Sequence, residues 1–143
     1  MRYLFDTDHI VALLRNHSSI RSRIDGLPEE VELYTSVITA AELFYGAHGA
    51  KDSVRRVEEV KRFLADVDVL GLDLEGAEIY GRLKARLRAQ GQLIADNDLY
   101  IASIALRHGL VLLTGNTRHY ERLPDLQVEN WLPSREREQP PLS

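Results

Sequence analysis

The chain has 143 residues, 44% of them hydrophobic and 28% charged, the composition of an ordinary soluble globular protein and long enough for one domain with a sizeable core. It contains no cysteine, which excludes a disulfide scaffold, a thiolate zinc site and a cysteine nucleophile, and fits a cytoplasmic protein. Its net charge of −4 argues against a surface that coats nucleic acid throughout, while leaving room for a local basic groove.

The N-terminus does not read as a secretory signal, because Asp6 and Asp8 interrupt its apolar run and no small-residue cleavage pattern follows. No apolar stretch is long enough to span a bilayer, so no membrane partner is expected. Arg2–Phe5 is expected to be a short buried strand, followed by a helix over 9–15 that starts at Asp6–Asp8. A second short helix is expected over 18–24, stopped by Gly26 and Pro28. Alternation over 31–37 suits a strand. Ser36 or Thr39 then caps a helix running through Ala47, and Ser53–Ala65 carries one apolar face at helical spacing.

A third strand is expected over 67–72. Asp73 caps a long helix that Gly91 stops near Gln90, and Asp96 or Asn97 starts a further, largely apolar helix ending at His108-Gly109. Residues 110–113 are a wholly apolar strand and 127–131 a last edge strand. The polar stretch 133–143 reads as a disordered tail, leaving 1–132 as the domain. Strands alternating with helices of this length indicate an α/β domain with a mostly parallel sheet, and ligand sites in such sheets lie beyond the carboxyl ends of the strands.

The acids fall where that rule places a ligand. Asp6 and Asp8 follow the first strand, Glu42 lies one turn into the helix after the second, and Thr114-Gly115-Asn116 follow the apolar strand. Asp98 joins them if its helix starts at that edge. A lone glutamate among the apolar and small neighbours of Glu42 is costly unless it faces water or a cation compensates it. Within each Asp-x-Asp pair the two side chains point about 200° apart on a helix, so only one can face a common pit. For the second pair the cap is assigned to Asp96 and the ligand role to Asp98. Converging carboxylates repel unless neutralised, and hard oxygen ligands favour Mg²⁺ or Mn²⁺. A divalent ion held in this way acidifies water and clamps phosphodiester oxygens.

The five histidines show no ligand spacing; His9, His17, His48 and His108 read as ordinary surface or core residues, and His119 stands apart by following the Asn116 turn. Basic residues cluster at Arg55, Arg56, Lys61 and Arg62 and again at Arg82, Lys84, Arg86 and Arg88. A solvated helix face explains such clusters, and Arg82 with Arg86, four apart, also offers a stripe for RNA phosphates.

Asp6-Thr7 after a first strand, Glu42-Leu43 with Gly46, Asn97-Asp98-Leu99 with Ile101-Ala102, and Thr114-x-Asn116 after an apolar strand together resemble the PIN-domain nucleases. They resemble in particular the VapC-type toxins of toxin–antitoxin pairs, and the resemblance runs in order from Arg2 to Trp131. It implies a three-layer α/β/α fold and a Mg²⁺- or Mn²⁺-dependent endoribonuclease. It also implies a cognate antitoxin as partner, and a homodimer is expected. Carried over by position, Asp6, Glu42 and Asp98 would bind metal, with Thr114 supporting them; Thr7 and Asp96 are expected as further supporting residues, Asp96 without a matching family position. The fourth family position, often acidic, falls at Asn116, a departure that removes one charge and puts a second tightly bound metal in question.

Two other readings compete. Asp6-x-Asp8 and Leu112-Leu113-Thr114 resemble motifs of a haloacid-dehalogenase-like phosphatase, but that chemistry needs a downstream lysine and none follows Lys84. A catalytically inert binding module on the same fold is the alternative, since fold does not fix function; it has no need of converging carboxylates.

Overall fold

The computed structural model describes residues 1–132, and the expected tail over 133–143 lies outside the described residues. The elements run β1 (Arg2–Phe5), α1 (Thr7–Leu14), α2 (Ser18–Asp25), β2 (Glu32–Ser36), α3 (Val37–His48) and α4 (Ser53–Ala65). They continue as β3 (Asp68–Leu70), α5 (Leu74–Ala89), α6 (Asp96–His108), β4 (Val111–Leu113), α7 (Thr117–Tyr120) and β5 (Val128–Glu129). The five strands form one sheet in the order β3-β2-β1-β4-β5, and every pairing is parallel. The chain therefore winds outward from β1 to β3, returns, and builds the other half from β4. The direction of winding switches between β1 and β4, where such sheets open a crevice at their carboxyl ends.

Helices cover both faces, and the strand pleat divides the core accordingly. Tyr3, Phe5, Val111 and Leu113 point to one side, where they pack with Ile10, Leu13, Ile20, Leu43 and Val60 of α1 to α4. Leu4 and Leu112 point to the other, against Leu83, Leu87, Leu99, Ile101 and Ile104 of α5 and α6. This is the three-layer α/β/α arrangement with a buried parallel sheet.

Local chemistry sets the helix ends. The Asp6 carboxylate accepts from the Thr7 amide, Ser36 Oγ from the Thr39 amide at 3.0 Å, and Asp73 Oδ1 from the Gly76 amide at 2.8 Å, so α1, α3 and α5 each start at a side-chain cap. Gly91 after α5 and Gly109 after α6 adopt φ of +65°, the left-handed conformation that closes a helix C-terminus without Cβ strain. Three expectations need correction. α6 begins at Asp96 itself with Ala95 at the cap and no side-chain cap, so Asp96 does not play the capping role. The last strand is only Val128–Glu129, and the short helix α7 stands between Asn116 and that strand.

Leu112 is fully buried at the centre of the sheet, between the β1 and β5 pairings. Leu112→Ala should lower unfolding free energy by about 3 kcal/mol, the usual cost of a buried Leu deletion. Urea denaturation should show a lower midpoint with an unchanged slope.

Candidate active site

The parallel pairing of Phe5 with Leu113 brings the residues that follow them side by side at the switch point. The Asp6 amide donates to Leu113 O at 2.9 Å, extending the ladder by one bond. The Asp6 carboxyl group is then fixed from both sides: Thr114 Oγ1 donates to Oδ2 at 2.8 Å and the Thr7 amide to Oδ1 at 2.8 Å. Thr114 Oγ1 in turn accepts from the Asn116 amide at 3.0 Å. Asp6 is only 7% exposed, and no arginine or lysine of the described residues pairs with it.

That burial, more than anything else, pushes the Asp6 pKa from 3.8 up to about 6; the two donors oppose the rise, and the charges of Asp8 and Asp98 add to it. The buried carboxylate is thus a high-energy anion without a cationic partner among the described residues. Such a rise corresponds to about 3 kcal/mol against the ionised form at neutral pH.

Glu42 and Asp98 approach from α3 and α6. Thr7 Oγ1 donates to Glu42 Oε1 at 2.6 Å, and Asn97 Nδ2 lies at 3.5 Å from Oε2, so Glu42 is half-buried against α1 and the first turn of α6 rather than turned to solvent. Thr7 therefore ties Asp6 and Glu42 together, its amide to one and its hydroxyl to the other. Asp98 Oδ2 lies 3.1 Å from His119 Nδ1, and Asn116 Nδ2 lies 2.7 Å from the same nitrogen. Asn116 reaches the pit through His119. Tyr120, which sequence reasoning missed, places a buried hydroxyl toward Asp98 and Asp6, close enough to interact with Asp98 but with no partner in good hydrogen-bond geometry among the described residues. Burial first, then the charges of Asp6 and Asp98, keep that phenol protonated. Its signal in the sequence was faint, since an aromatic in a short helix after Asn116 reads as core.

The other members of the acid pairs lie elsewhere. Asp8 Oδ2 accepts from the Gly115 amide at 2.7 Å and its Oδ1 pairs with His9 Nδ1 at 2.8 Å. His9 is fully buried, and its Nε2 accepts from the Trp131 amide at 3.0 Å, which makes it a neutral ring with its hydrogen on Nδ1. Asp8 thus anchors the turn after β4. A Cβ on Gly115 would stand 2.8 Å from Asp8 Oδ2, so the close approach requires glycine there. Asp96, expected to support the site, is drawn to α5 instead: Lys84 Nζ lies at 2.8 Å and the Tyr80 hydroxyl at 2.9 Å from Oδ1. These bonds lower the Asp96 pKa and push Lys84 up to about 12. Starting α6 one residue earlier turns Asp96 onto the α5 side, away from Asp98. Arg82 lies 3.7 Å from Glu78 on the exposed side of α5.

Among the described residues, no three acidic or imidazole groups already surround one common point. The donor set nonetheless fits a hard divalent cation: carboxylate and hydroxyl oxygens, and a buried acid without a positive partner among the described residues.

Residues 3–126 match the PIN domain family. "Ribonuclease VapC2" of Haemophilus influenzae is 33% identical, over 92% of this chain and 99% of its own length. "tRNA(fMet)-specific endonuclease VapC" of Shigella flexneri is 30% identical, over 92% and 98%. Among solved structures, VapBC2 from Rickettsia felis, bound to a promoter DNA fragment, superposes with a TM-score of 0.86 at 29% identity, covering 92% of this chain and 100% of that one. VapBC-1 from nontypeable Haemophilus influenzae gives 0.84 at 34%, covering 92% and 98%. A buried acid at the β1–β4 switch point, on this fold and with these relatives, defines a nuclease of the PIN class. The chain belongs to the PIN-domain family and, within it, to the VapC ribonucleases.

Because its folded pKa is raised, Asp6 contributes stability that is full below pH 3.8 and lost as pH rises through about 6. In EDTA, Asp6→Asn should therefore be more stable than the parent at pH 7.5, by about 1 to 3 kcal/mol. The difference should vanish near pH 4; calorimetric melting across that range checks it.

Proposed function

We propose that the chain is the toxin of a toxin–antitoxin pair, acts in the cytoplasm, and cleaves RNA at the β1–β4 crevice with Mg²⁺ or Mn²⁺ as cofactor. The observation that carries the reading is the buried, uncompensated Asp6 carboxylate held by Thr114 and Thr7 with Asp98 close enough to raise its pKa. Asp6, Asp98 and Glu42 would hold the cation. When bound, it supplies a Lewis acid for the scissile phosphate and a more acidic water beside it. An inert binding module has no use for a carboxylate kept at this energetic cost.

This chain's own residues supply orientation. Thr114 and the Thr7 amide hold both oxygens of Asp6 in place. Thr7 and Asn97 steady Glu42, and His119 with Asn116 steadies Asp98 from the other side. Asn116 adds no charge where the family often has an acid, which favours one tightly held cation over two. The protonated Tyr120 hydroxyl faces the same acids as a donor.

The partner reading rests on surfaces. A groove of about 350 Å³ lies beside Glu42, its floor including Val11, Leu14, Leu43 and Val60 and its rim carrying Arg15 and the Asp52–Arg56 ion pair. An antitoxin segment with apolar side chains and an acid opposite Arg15 would fill it and shield Glu42. Tyr45, 85% exposed on α3, and Val37 near its start offer an apolar contact for a second copy. Light scattering at micromolar concentration should give the dimer mass, and a monomer mass would remove that part of the proposal.

Transfer RNA is the first substrate to assay, given the name of the Shigella flexneri relative. Cleavage should require added Mg²⁺ or Mn²⁺, stop in EDTA, and fall by about a hundredfold or more in Asp6→Asn. Full cleavage in EDTA, or an unimpaired Asp6→Asn, refutes the mechanism.

A further inference from the structure

Arg86 of α5, Arg118 of α7 and Arg122 just beyond line one side-open cleft of about 570 Å³, together with Gln90, Gln92 and the single acid Glu121. Neither Arg86 nor Arg118 makes an ion pair or side-chain hydrogen bond among the described residues. Arg122 donates from one nitrogen to Gln92 O at 3.1 Å and Leu93 O at 3.0 Å, fastening the α5–α6 loop to the segment after α7. The cleft is therefore braced by the fold, and its two free guanidinium groups come from elements far apart in sequence.

The short α7 segment connects this cleft to the acidic pit. Asn116 and His119, three apart, face Asp98, while Arg118, Glu121 and Arg122 share the other side of the same segment. We infer that this cleft is a phosphate-binding subsite for the RNA strand that runs out of the pit, with Arg86 and Arg118 each taking one backbone phosphate. The inference rests on the RNA-cleaving reading above and assigns the strand a path across α7. Planar guanidinium forks match phosphate oxygens, two uncompensated cations in one cleft gain from an anion between them, and the glutamine amides add donors that read no base. The path differs from a stripe along α5, because Arg82 lies beside Glu78, Lys84 pairs with Asp96 and Arg88 does not line the cleft, so that Arg86 is the α5 arginine that does.

The test is RNA binding as a function of salt, read by fluorescence anisotropy with a labelled tRNA on the full chain carrying Asp6→Asn to prevent cleavage. Adding Arg86→Gln and Arg118→Gln should weaken binding and reduce the steepness of the log-affinity against log-salt plot by about 1.4, two single-strand phosphates at about 0.7 each. Arg86→Lys with Arg118→Lys should restore the slope, and unchanged melting temperatures should show that both double variants fold. An unaltered slope in the Gln variant overturns the subsite even if the wild-type chain cleaves RNA. Loss of binding to an acidic protein partner with RNA binding intact assigns the cleft to protein and overturns it too. A wild-type chain that cleaves no RNA, with an Asp6→Asn form that binds none, overturns the functional reading and the subsite together.

Discussion

The site depends on keeping one carboxylate out of water at the point where the sheet reverses its direction of winding. Asp6 is buried because Phe5 and Leu113 must pair in register to complete the two-sided core, and the residue after Phe5 has nowhere else to go. Burial raises its energy, and the fold supplies two neutral donors, Thr114 Oγ1 and the Thr7 amide, in place of a cation. Those donors fix orientation without neutralising charge. An arginine at either place would make a stable ion pair and an inert crevice. The surrounding elements follow from the same constraint: α1 must begin at once so that its first amide can reach Asp6, and the β4 turn must be tight enough to return Thr114.

The remaining acids sort by whether the fold has given them a partner. Asp96 has Lys84 and Tyr80, Asp73 has Arg107 and the Gly76 amide, and Asp8 has the Gly115 amide and the His9 ring. Each of these serves structure. Asp8 in particular links the first helix to the β4 turn and, through His9, to the Trp131 amide, where Trp131 closes the far side of the core against Tyr3 at 4.9 Å between ring centroids. Asp6, Glu42 and Asp98 have only hydroxyl, amide and imidazole contacts, and they come from three different elements. These three carboxylates lack any lysine or arginine partner among the described residues, which separates them from the acids that serve structure and makes them the candidates for a site.

Much of this was legible because apolar runs and turn residues settle a parallel α/β sheet, and the sheet rule then says where to look for chemistry. Residues 2–5, the Ser36 and Asp73 caps, the Ser53–Ala65 helix and the glycine stops all follow from local patterns that tertiary packing did not override. The placement of Asp6, Glu42 and Thr114 followed from the same rule. The role of Asp96 did not, because a cap and a first-turn residue differ by one position, and only the approach of Lys84 and Tyr80 from α5 decides between them. The position of Arg82 beside Glu78 was not legible for the same reason: a four-residue spacing shows a stripe, not which member lies next to an acid. His9 and Tyr120 carry no distinguishing pattern, since a buried neutral imidazole and a buried phenol look like core until their polar atoms are located.

Asn116 shows how a departure from the family pattern is absorbed. A carboxylate there would add a further negative charge beside Asp98 and Asp6 and raise the energy of an already uncompensated cluster. The amide instead lies against His119, and its own backbone N–H returns to Thr114 Oγ1, the hydroxyl that holds Asp6. Asn116 is thereby connected to both acids, to Asp6 through Thr114 and to Asp98 through His119, without adding to their repulsion. With fewer acids to neutralise, a pit of this composition would demand less positive charge from a bound cation and, on the proposed function, would leave more of the work of holding a polyanionic strand to groups outside it. The unpaired arginines on the far side of α7 stand where that work would fall.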